Sequence, residues 1–326
     1  MDERNGDALD CLIVGGGPAG LTAAIYLARF GRRFAVVDAG EPRAAWIPVS
    51  HNIPFFGEGI SGSDMLARQR DHVAKYGPSV LSGTVTEVRK APDGVFEAAF
   101  EEKESGRRRQ ARARRVLIAT GALDVEPALP DLPDAVRRGL VRYCPICDGY
   151  EARGRRIAVI GHGKRGAGEA GFIARTYSDD VTLLTLGEPM DDLGREEREK
   201  LEGQGVKIVE QPVAALDVRD GRIAALRTGG GHELRFDVLY SALGLNYRTG
   251  LARALGAEHD GQGALVVDAH NETTAKGLYA IGDAARGLDQ VVVAMGHAAV
   301  AATRIHNRCE LPTEEEPDET GRGRSG

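Results

Sequence analysis

The sequence is poor in aromatic residues and in cysteine. Its 326 residues include one Trp, eight Tyr, eight Phe and four Cys. Four cysteines are too few for a secreted disulfide scaffold, so we expect a cytoplasmic protein. No apolar run approaches the ~18 residues that a membrane-spanning helix needs, and the polar residues 1–7 are unlike a signal peptide. The composition also excludes collagen, coiled-coil and wholly disordered chains.

An excess of basic residues is absent as well. The chain has 42 Lys and Arg against 48 Asp and Glu, which gives a net charge of −6. This balance disfavours nucleic acid or an acidic membrane as the main partner. The densest basic run, residues 107–115, follows the acidic residues 101–104. We predict a hairpin in which these opposite charges pair, rather than a patch that binds nucleic acid.

Glycine, by contrast, is abundant, with 43 residues. The pattern G-x-G-x-x-G occurs at residues 15–20 and again at 161–166, each time between a predicted strand and a predicted helix. The repeat predicts an α/β fold with two doubly wound, Rossmann-like nucleotide-binding domains, the second inserted in the first. The predicted boundaries are 1–123 with 247–312 for the first domain, 124–246 for the second, and 313–326 for a disordered tail.

The first glycine-rich turn has the features of a dinucleotide site. Gly15 permits the tight turn, Gly17 lets a pyrophosphate approach the backbone, and Gly20 lets the helix pack on the strand. The next predicted strand ends at Asp38, whose carboxylate can accept hydrogen bonds from both ribose hydroxyls of an adenosine.

The second turn repeats the glycines, at Gly161, Gly163 and Gly166. Lys164 and Arg165 lie in the predicted turn and could neutralise phosphates. The strand that follows, residues 181–185, ends without an arginine pair for a 2′-phosphate, and Glu188 would repel that group. Three possibilities therefore remain open for the second turn: it binds NADH, it binds NADPH through Lys164 or Arg165, or it has no function.

Two cysteines have a spacing that favours redox chemistry. Cys144 and Cys147 are close enough in sequence to form a reducible disulfide, and Asp148 could transfer the proton that thiol exchange requires. Zinc is disfavoured because Cys11 and Cys309 are isolated; an inert buried pair is the other alternative. A flavin is the expected electron partner, since nicotinamide moves hydride whereas thiols exchange through sulfur.

Together these motifs resemble the low-molecular-weight thioredoxin reductase group of FAD-dependent pyridine nucleotide-disulfide oxidoreductases, from about residue 10 to residue 311. The resemblance rests on Val14–Gly20, on Cys144-x-x-Cys147-Asp148-Gly149, on Gly282-Asp283 followed by Gln290-Val291, and on the segment 51–62.

The resemblance implies an FAD site and a set of roles at the cysteines. It places FAD on Gly15, Gly17, Pro18, Ala19, Gly20, Asp38, Asn52, Val85, Gly121, Gly282, Asp283, Gln290 and Val291. The second glycine-rich turn is the candidate site for NAD(P), at Gly161, Gly163, Lys164, Arg165 and Gly166. It implies that Cys147 faces the flavin, that Cys144 attacks the substrate disulfide, and that Asp148 is the acid/base. A homodimer is implied too, with a thioredoxin-like protein or a small molecule as substrate.

Two departures from that group keep other functions open. The arginines that read the 2′-phosphate are missing, and the segment between Asp38 and Asn52 lacks the usual Gly-Gly-Gln phrase. Both departures resemble FAD-dependent dithiol oxidases that close disulfides in small natural products, with oxygen or NADP as acceptor. Asp148 favours the reductases, because the oxidases commonly have His at this position. A non-enzymatic flavin-binding protein is the third hypothesis.

Overall fold

The computed structural model describes residues 8–77, 80–130, 135, 138–191 and 193–309. The predicted tail 313–326 lies outside them. The strands are β1 (Leu9–Val14), β2 (Phe34–Asp38), β3 (Val80–Lys90), β4 (Phe96–Glu102), β5 (Arg108–Ile118), β6 (Ala122–Asp124), β7 (Ile157–Ile160), β8 (Val181–Leu184), β9 (Lys207–Val209), β10 (Val213–Arg219), β11 (Arg222–Thr228), β12 (Glu233–Leu234), β13 (Val238–Ser241), β14 (Leu245–Tyr247) and β15 (Leu278–Ala280). The α-helices are α1 (Pro18–Arg29), α2 (Gly62–Ala74), α3 (Pro145–Asp148), α4 (Gly163–Thr176), α5 (Arg195–Gly203), α6 (Gly250–Ala254) and α7 (Val291–Arg308), and the 3-10 helices are Arg43–Trp46, Tyr150–Ala152 and Gly282–Ala284.

The first sheet is centred on β1, which lies parallel between β2 and β5. β3 pairs with β2, and β15 pairs with β5, both in parallel. β3, β4 and β5 also form an antiparallel ribbon, in which Glu101 faces Arg108 and Glu102 forms an ion pair with Arg109 at 3.0 Å. The predicted hairpin of opposite charges is therefore confirmed.

Helices α1 and α7 pack against each other beside this sheet. Proline at the first position of α1 leaves no backbone N–H unsatisfied there. Gly31, with φ of +68°, follows the end of the helix and donates its N–H to the carbonyl of Ala28. The buried residues of α7 are four alanines, Ala294, Ala298, Ala301 and Ala302, followed by Ile305 near the end of the helix.

The second sheet is entirely parallel, in the order β13, β7, β8, β9. Its central strand β7 is fully buried, as expected for a parallel strand covered on both faces. Helices α4 and α5 belong to this half, together with the antiparallel strands β10, β11 and β12. The two sheets confirm the predicted α/β class with two Rossmann-type folds.

The chain divides into two compact units, and one segment belongs to a different unit from the one predicted. Among the described residues, the first unit comprises those within 8–45, 63–123 and 247–309, and the second comprises those within 46–62 and 124–246. The sequence had assigned 46–62 to the FAD-binding domain. It belongs with the second unit because Trp46 packs against that unit's apolar cluster and Asn52 donates a hydrogen bond to the carbonyl of Ile146.

Candidate active site

The turn between β1 and α1 has room for a ligand because three of its positions are glycine. Gly15 has φ of +109°, and a Cβ there would lie 2.3 Å from the carbonyl oxygen of Ala119. A Cβ on Gly20 would lie 2.0 Å from the oxygen of Gly15. At Gly17, within the described residues, a Cβ would meet nothing nearer than Pro42, at 3.9 Å. This turn therefore fits a pyrophosphate at the start of α1.

Asp38 lies at the end of β2, next to the same turn. Its Oδ1 accepts a hydrogen bond from the backbone N–H of Gly16 at 3.1 Å, and its Oδ2 is 3.1 Å from the guanidinium of Arg70 on α2. The carboxylate is only 10% exposed. Its position beside the turn fits the predicted contact with an adenosine ribose, and Arg70 is a neighbour that the sequence did not reveal.

The remaining predicted FAD residues lie in both units. In the first unit, Val85 is on β3, Gly121 follows β5, Gly282 and Asp283 form a 3-10 helix, Gln290 precedes α7 and Val291 begins it. Asn52 lies in the second unit with the cysteines. Asp283 carries an unforeseen partner, because its Oδ2 is 3.2 Å from the guanidinium of Arg43.

The second glycine-rich turn, between β7 and α4, is also closely packed. A Cβ on Gly166 would lie 2.5 Å from the carbonyl carbon of Gly161. Lys164 and Arg165 are exposed in the first turn of α4, whereas the sequence had placed them in the loop. Gly163, the first residue of α4, adopts φ of +57°, a conformation that glycine reaches without strain.

The edge beyond β8 is acidic and partly closed. The N–H of Gly163 donates to Sδ of Met190 at 3.2 Å, and Met190 is fully buried. Arg198 is engaged by the carbonyl of Met190 and by the carboxylate of Glu210. Glu188 is exposed at this edge. Residues 185–191 contain no Lys or Arg that could bind a 2′-phosphate.

Cys144 and Cys147 form a disulfide with their Cα atoms 5.3 Å apart. Pro145 starts the short helix α3 directly after Cys144, and the N–H of Cys147 donates to the carbonyl of Cys144. Both cysteines are partly exposed. Among the described residues, no group of three or more His, Cys, Asp or Glu side chains is placed to hold a metal ion.

The carboxylate of Asp148, at the end of α3, is held at both oxygens. Arg142 donates to Oδ2 at 3.0 Å and the Tyr240 hydroxyl donates to Oδ1 at 2.7 Å. Burial raises the pKa of Asp148, while Arg142 and Tyr240 act to lower it. Burial and the Asp148 charge both raise the pKa of Tyr240, so its hydroxyl stays a donor.

Backbone pairing brings these residues together. Arg142 forms a parallel bridge with Tyr240 on β13, which sets both side chains beside the end of α3. Gly149 is required next to Asp148, because a Cβ there would lie 2.4 Å from both the oxygen of Pro145 and the ring of Tyr177. Arg142 was visible in the sequence as a cation two residues before Cys144, whereas Tyr240 carried no local signal.

The glycine-rich turn of the first unit, and the disulfide of the second unit with the half-buried carboxylate that follows it, are features of oxidoreductases, and the family match shows that the chain is one. The chain belongs to the pyridine nucleotide-disulphide oxidoreductase family, whose sequence profile matches residues 9–298. Membership of this family implies use of FAD and of a pyridine nucleotide.

This chain covers different shares of the curated relatives that it matches. The chain is 25% identical to the thioredoxin reductase of Bacillus subtilis strain 168, over 92% of this chain and 95% of that protein. It is 29% identical to a component of the alkyl hydroperoxide reductase of Escherichia coli strain K12, over 91% of this chain but only 57% of that longer protein. Among solved structures, HlmI is 28% identical with a TM-score of 0.81, and 94% of each chain is covered.

One further finding concerns membranes. Within the described ranges, no helix is long and apolar enough to cross a bilayer.

Proposed function

We propose that the chain is an FAD-dependent thiol–disulfide oxidoreductase of thioredoxin reductase type. It would pass two electrons between NAD(P)H, FAD, the Cys144–Cys147 pair and an external disulfide. The observation that carries this proposal is the partly exposed disulfide followed directly by a carboxylate held at both oxygens. Family membership favours an enzyme over the non-enzymatic flavin-binding alternative.

The reduced cysteine pair can reduce an external disulfide by two successive thiolate–disulfide exchanges. With the pair reduced, the Cys144 thiolate attacks one sulfur of the external disulfide, which forms a mixed disulfide and releases one substrate thiolate. The Cys147 thiolate then attacks Cys144, which closes the 144–147 disulfide again and releases the second thiolate. The substrate disulfide is reduced to a dithiol, and the cysteine pair is oxidised.

Asp148 supplies or accepts the proton in this exchange. A thiolate leaving group departs more readily when a nearby acid protonates it, and an acid works best when its pKa lies near the working pH. Burial moves the pKa of Asp148 in that direction, and Arg142 and Tyr240 fix the carboxylate in one orientation. Arg142 and Tyr240 are thus positioning residues that act through Asp148.

The first unit would hold FAD at the Gly15–Gly20 turn, with Asp38 on the adenosine ribose and Asp283 near the ribityl chain. Bound FAD would supply the two-electron link between the pyridine nucleotide and the cysteines. Four points remain predictions of the resemblance. They are that Cys147 faces the flavin, that Asn52 lies beside it, that the substrate is a thioredoxin-like protein or a small molecule, and that the protein is a homodimer.

A second candidate runs the electrons the other way. A dithiol oxidase would oxidise an external dithiol and pass the electrons to oxygen or NADP. The observation that favours it lies at the second nucleotide turn, where Met190 takes the N–H of Gly163 and Glu188 stands in place of a phosphate-binding arginine. Weak binding of a 2′-phosphorylated pyridine nucleotide would leave the dithiol as the electron source and would favour oxygen over NADP as the acceptor.

An anaerobic titration separates the two directions. The purified yellow protein would be titrated with NADPH, with NADH and with dithiothreitol, while the absorbance of the oxidised flavin is followed. We expect NADPH or NADH to bleach the flavin, and the reduced enzyme then to reduce an aromatic disulfide. Bleaching by dithiothreitol alone, with reoxidation by oxygen or NADP, would support the oxidase. A protein that neither contains FAD nor takes it up would contradict both candidates. Cys309→Ser, which leaves the disulfide intact, is the matched control for variants of the pair.

A further inference from the structure

An arginine lies in the first unit, within the segment whose sequence departs from the reductases. Arg43 begins the 3-10 helix that follows β2. Its guanidinium is 3.2 Å from Oδ2 of Asp283, although the two residues are far apart in the chain. The side chains are only 16% and 19% exposed, so this cation is largely withdrawn from water.

The surroundings of Arg43 bracket the start of α1. Its neighbour Pro42 is 3.9 Å from the position of a Cβ on Gly17, the residue that precedes α1. On the other side, a Cβ on Gly282, next to Asp283, would lie 3.0 Å from the Cβ of Ala19 in the first turn of the helix. The chain next to Arg43 and the chain next to Asp283 therefore both approach the first turn of α1, the end of the helix whose backbone N–H groups have no partner within the helix.

We propose that Arg43 binds the diphosphate of FAD, on the phosphate that belongs to the flavin half. The start of α1 contributes backbone donors and roughly half a positive charge, which leaves most of the diphosphate charge without a partner. A guanidinium offers paired N–H donors that match phosphate oxygens. Asp283 keeps the guanidinium in place, and Asp283 is the residue expected near the ribityl chain. The inference rests on the proposed FAD site.

Mononucleotide probes test which phosphate is bound. AMP carries the adenosine-side phosphate alone, whereas ADP adds a phosphate where the flavin half of FAD would begin. With the apoprotein, Arg43→Gln should weaken the binding of FAD and ADP by roughly tenfold or more, or about 1.4 kcal/mol. AMP binding should change by less than about threefold, or ~0.7 kcal/mol. Arg43→Lys should restore part of the loss, because the charge remains without the paired donors.

Arg70→Gln is the matched control, since Arg70 also pairs with a carboxylate of this site but on the ribose side. It should affect AMP and ADP equally. Affinities would be measured by flavin fluorescence for FAD and by calorimetry for AMP and ADP, and thermal unfolding would show that each variant is folded. Arg43→Gln protein that binds ADP like the wild type, or that loses AMP as strongly as ADP, would overturn the inference. Wild-type protein that binds no FAD would instead overturn the proposed function.

Discussion

The hydroxyl of Tyr240 tests whether the surroundings of Asp148 set its acidity. This tyrosine is fully buried on β13 and donates to Oδ1 of Asp148 at 2.7 Å. Tyr240→Phe removes the donor and keeps the ring, so the packing of the strand is preserved. The hydrogen bond stabilises the ionised carboxylate, and its loss should therefore raise the pKa of Asp148 further above the ordinary value.

The size of the shift follows from the geometry. A hydrogen bond to a charged group contributes about 1.5–3 kcal/mol, and one pKa unit corresponds to about 1.4 kcal/mol. The upper figure requires that nothing replaces the hydroxyl. Because the Asp148 side chain is 14% exposed, water recovers part of the loss. We expect a rise of about one unit, while Arg142 still holds Oδ2 at 3.0 Å.

The assay follows reduction of the Cys144–Cys147 disulfide by dithiothreitol as a function of pH, with the new thiols counted after acid quenching. The part of the rate–pH profile that follows the titration of Asp148 should move to higher pH in Tyr240→Phe. It should be absent in Asp148→Asn, which has no titrating carboxyl at this position. Tyr279→Phe, at a buried tyrosine of the first unit, is the control and should leave the profile in place. A profile of Tyr240→Phe that superimposes on the wild type would refute the reasoning.

Stability gives an independent readout with a definite sign. A carboxyl whose folded-state pKa lies above its unfolded value binds more protons when folded, so its contribution to stability falls as the pH rises through that interval. Tyr240→Phe widens the interval. The variant should therefore lose more thermal stability at neutral pH than at acid pH, where both states carry the proton. An equal loss at both pH values would indicate a packing defect instead.

Two further predictions concern the cysteines and the second nucleotide turn. Cys144→Ser should show a long-wavelength charge-transfer band that grows as the pH rises through the thiol pKa, about 8.5 if unperturbed. Cys147→Ser should show no such band, and both variants should lose turnover. A band seen in Cys147→Ser alone would reverse the assigned roles. Wild-type protein should not strongly prefer NADPH over NADH, and Glu188→Arg should shift the preference toward NADPH, as measured by the ratio of kcat/KM values. A wild-type preference above about a thousandfold, or ~4 kcal/mol, would mean that Lys164, Arg165 or another cation binds the 2′-phosphate.

The parts of the site that could be predicted are those encoded by neighbouring residues. The turn at residues 15–20 was predictable because its close backbone approaches admit only glycine. The disulfide was predictable from the spacing of Cys144 and Cys147, and Asp38 from its place at the end of an apolar strand. Each of these signals lies within a few residues of the feature that it predicts.

The parts that could not be predicted depend on contacts between distant residues. Tyr240 meets Asp148 only because β13 pairs with the segment that carries Arg142. Arg43 likewise reaches Asp283 across the first unit. Charge and polarity of such residues are visible in the sequence, but their partners are set by how distant elements pack in the fold. The membership of residues 46–62 in the second unit was missed for the same reason.

The segment 46–62 also determines which unit the intrinsic tryptophan fluorescence of this protein monitors. The chain has a single tryptophan, and Trp46 packs against the apolar cluster of the second unit although it precedes that unit's main stretch in sequence. Indole fluorescence during unfolding will therefore follow the unit that carries the cysteines. A fragment cut as 124–246 would lose both this reporter and the Asn52 contact to Ile146, so the second unit cannot be isolated intact as one continuous piece of chain.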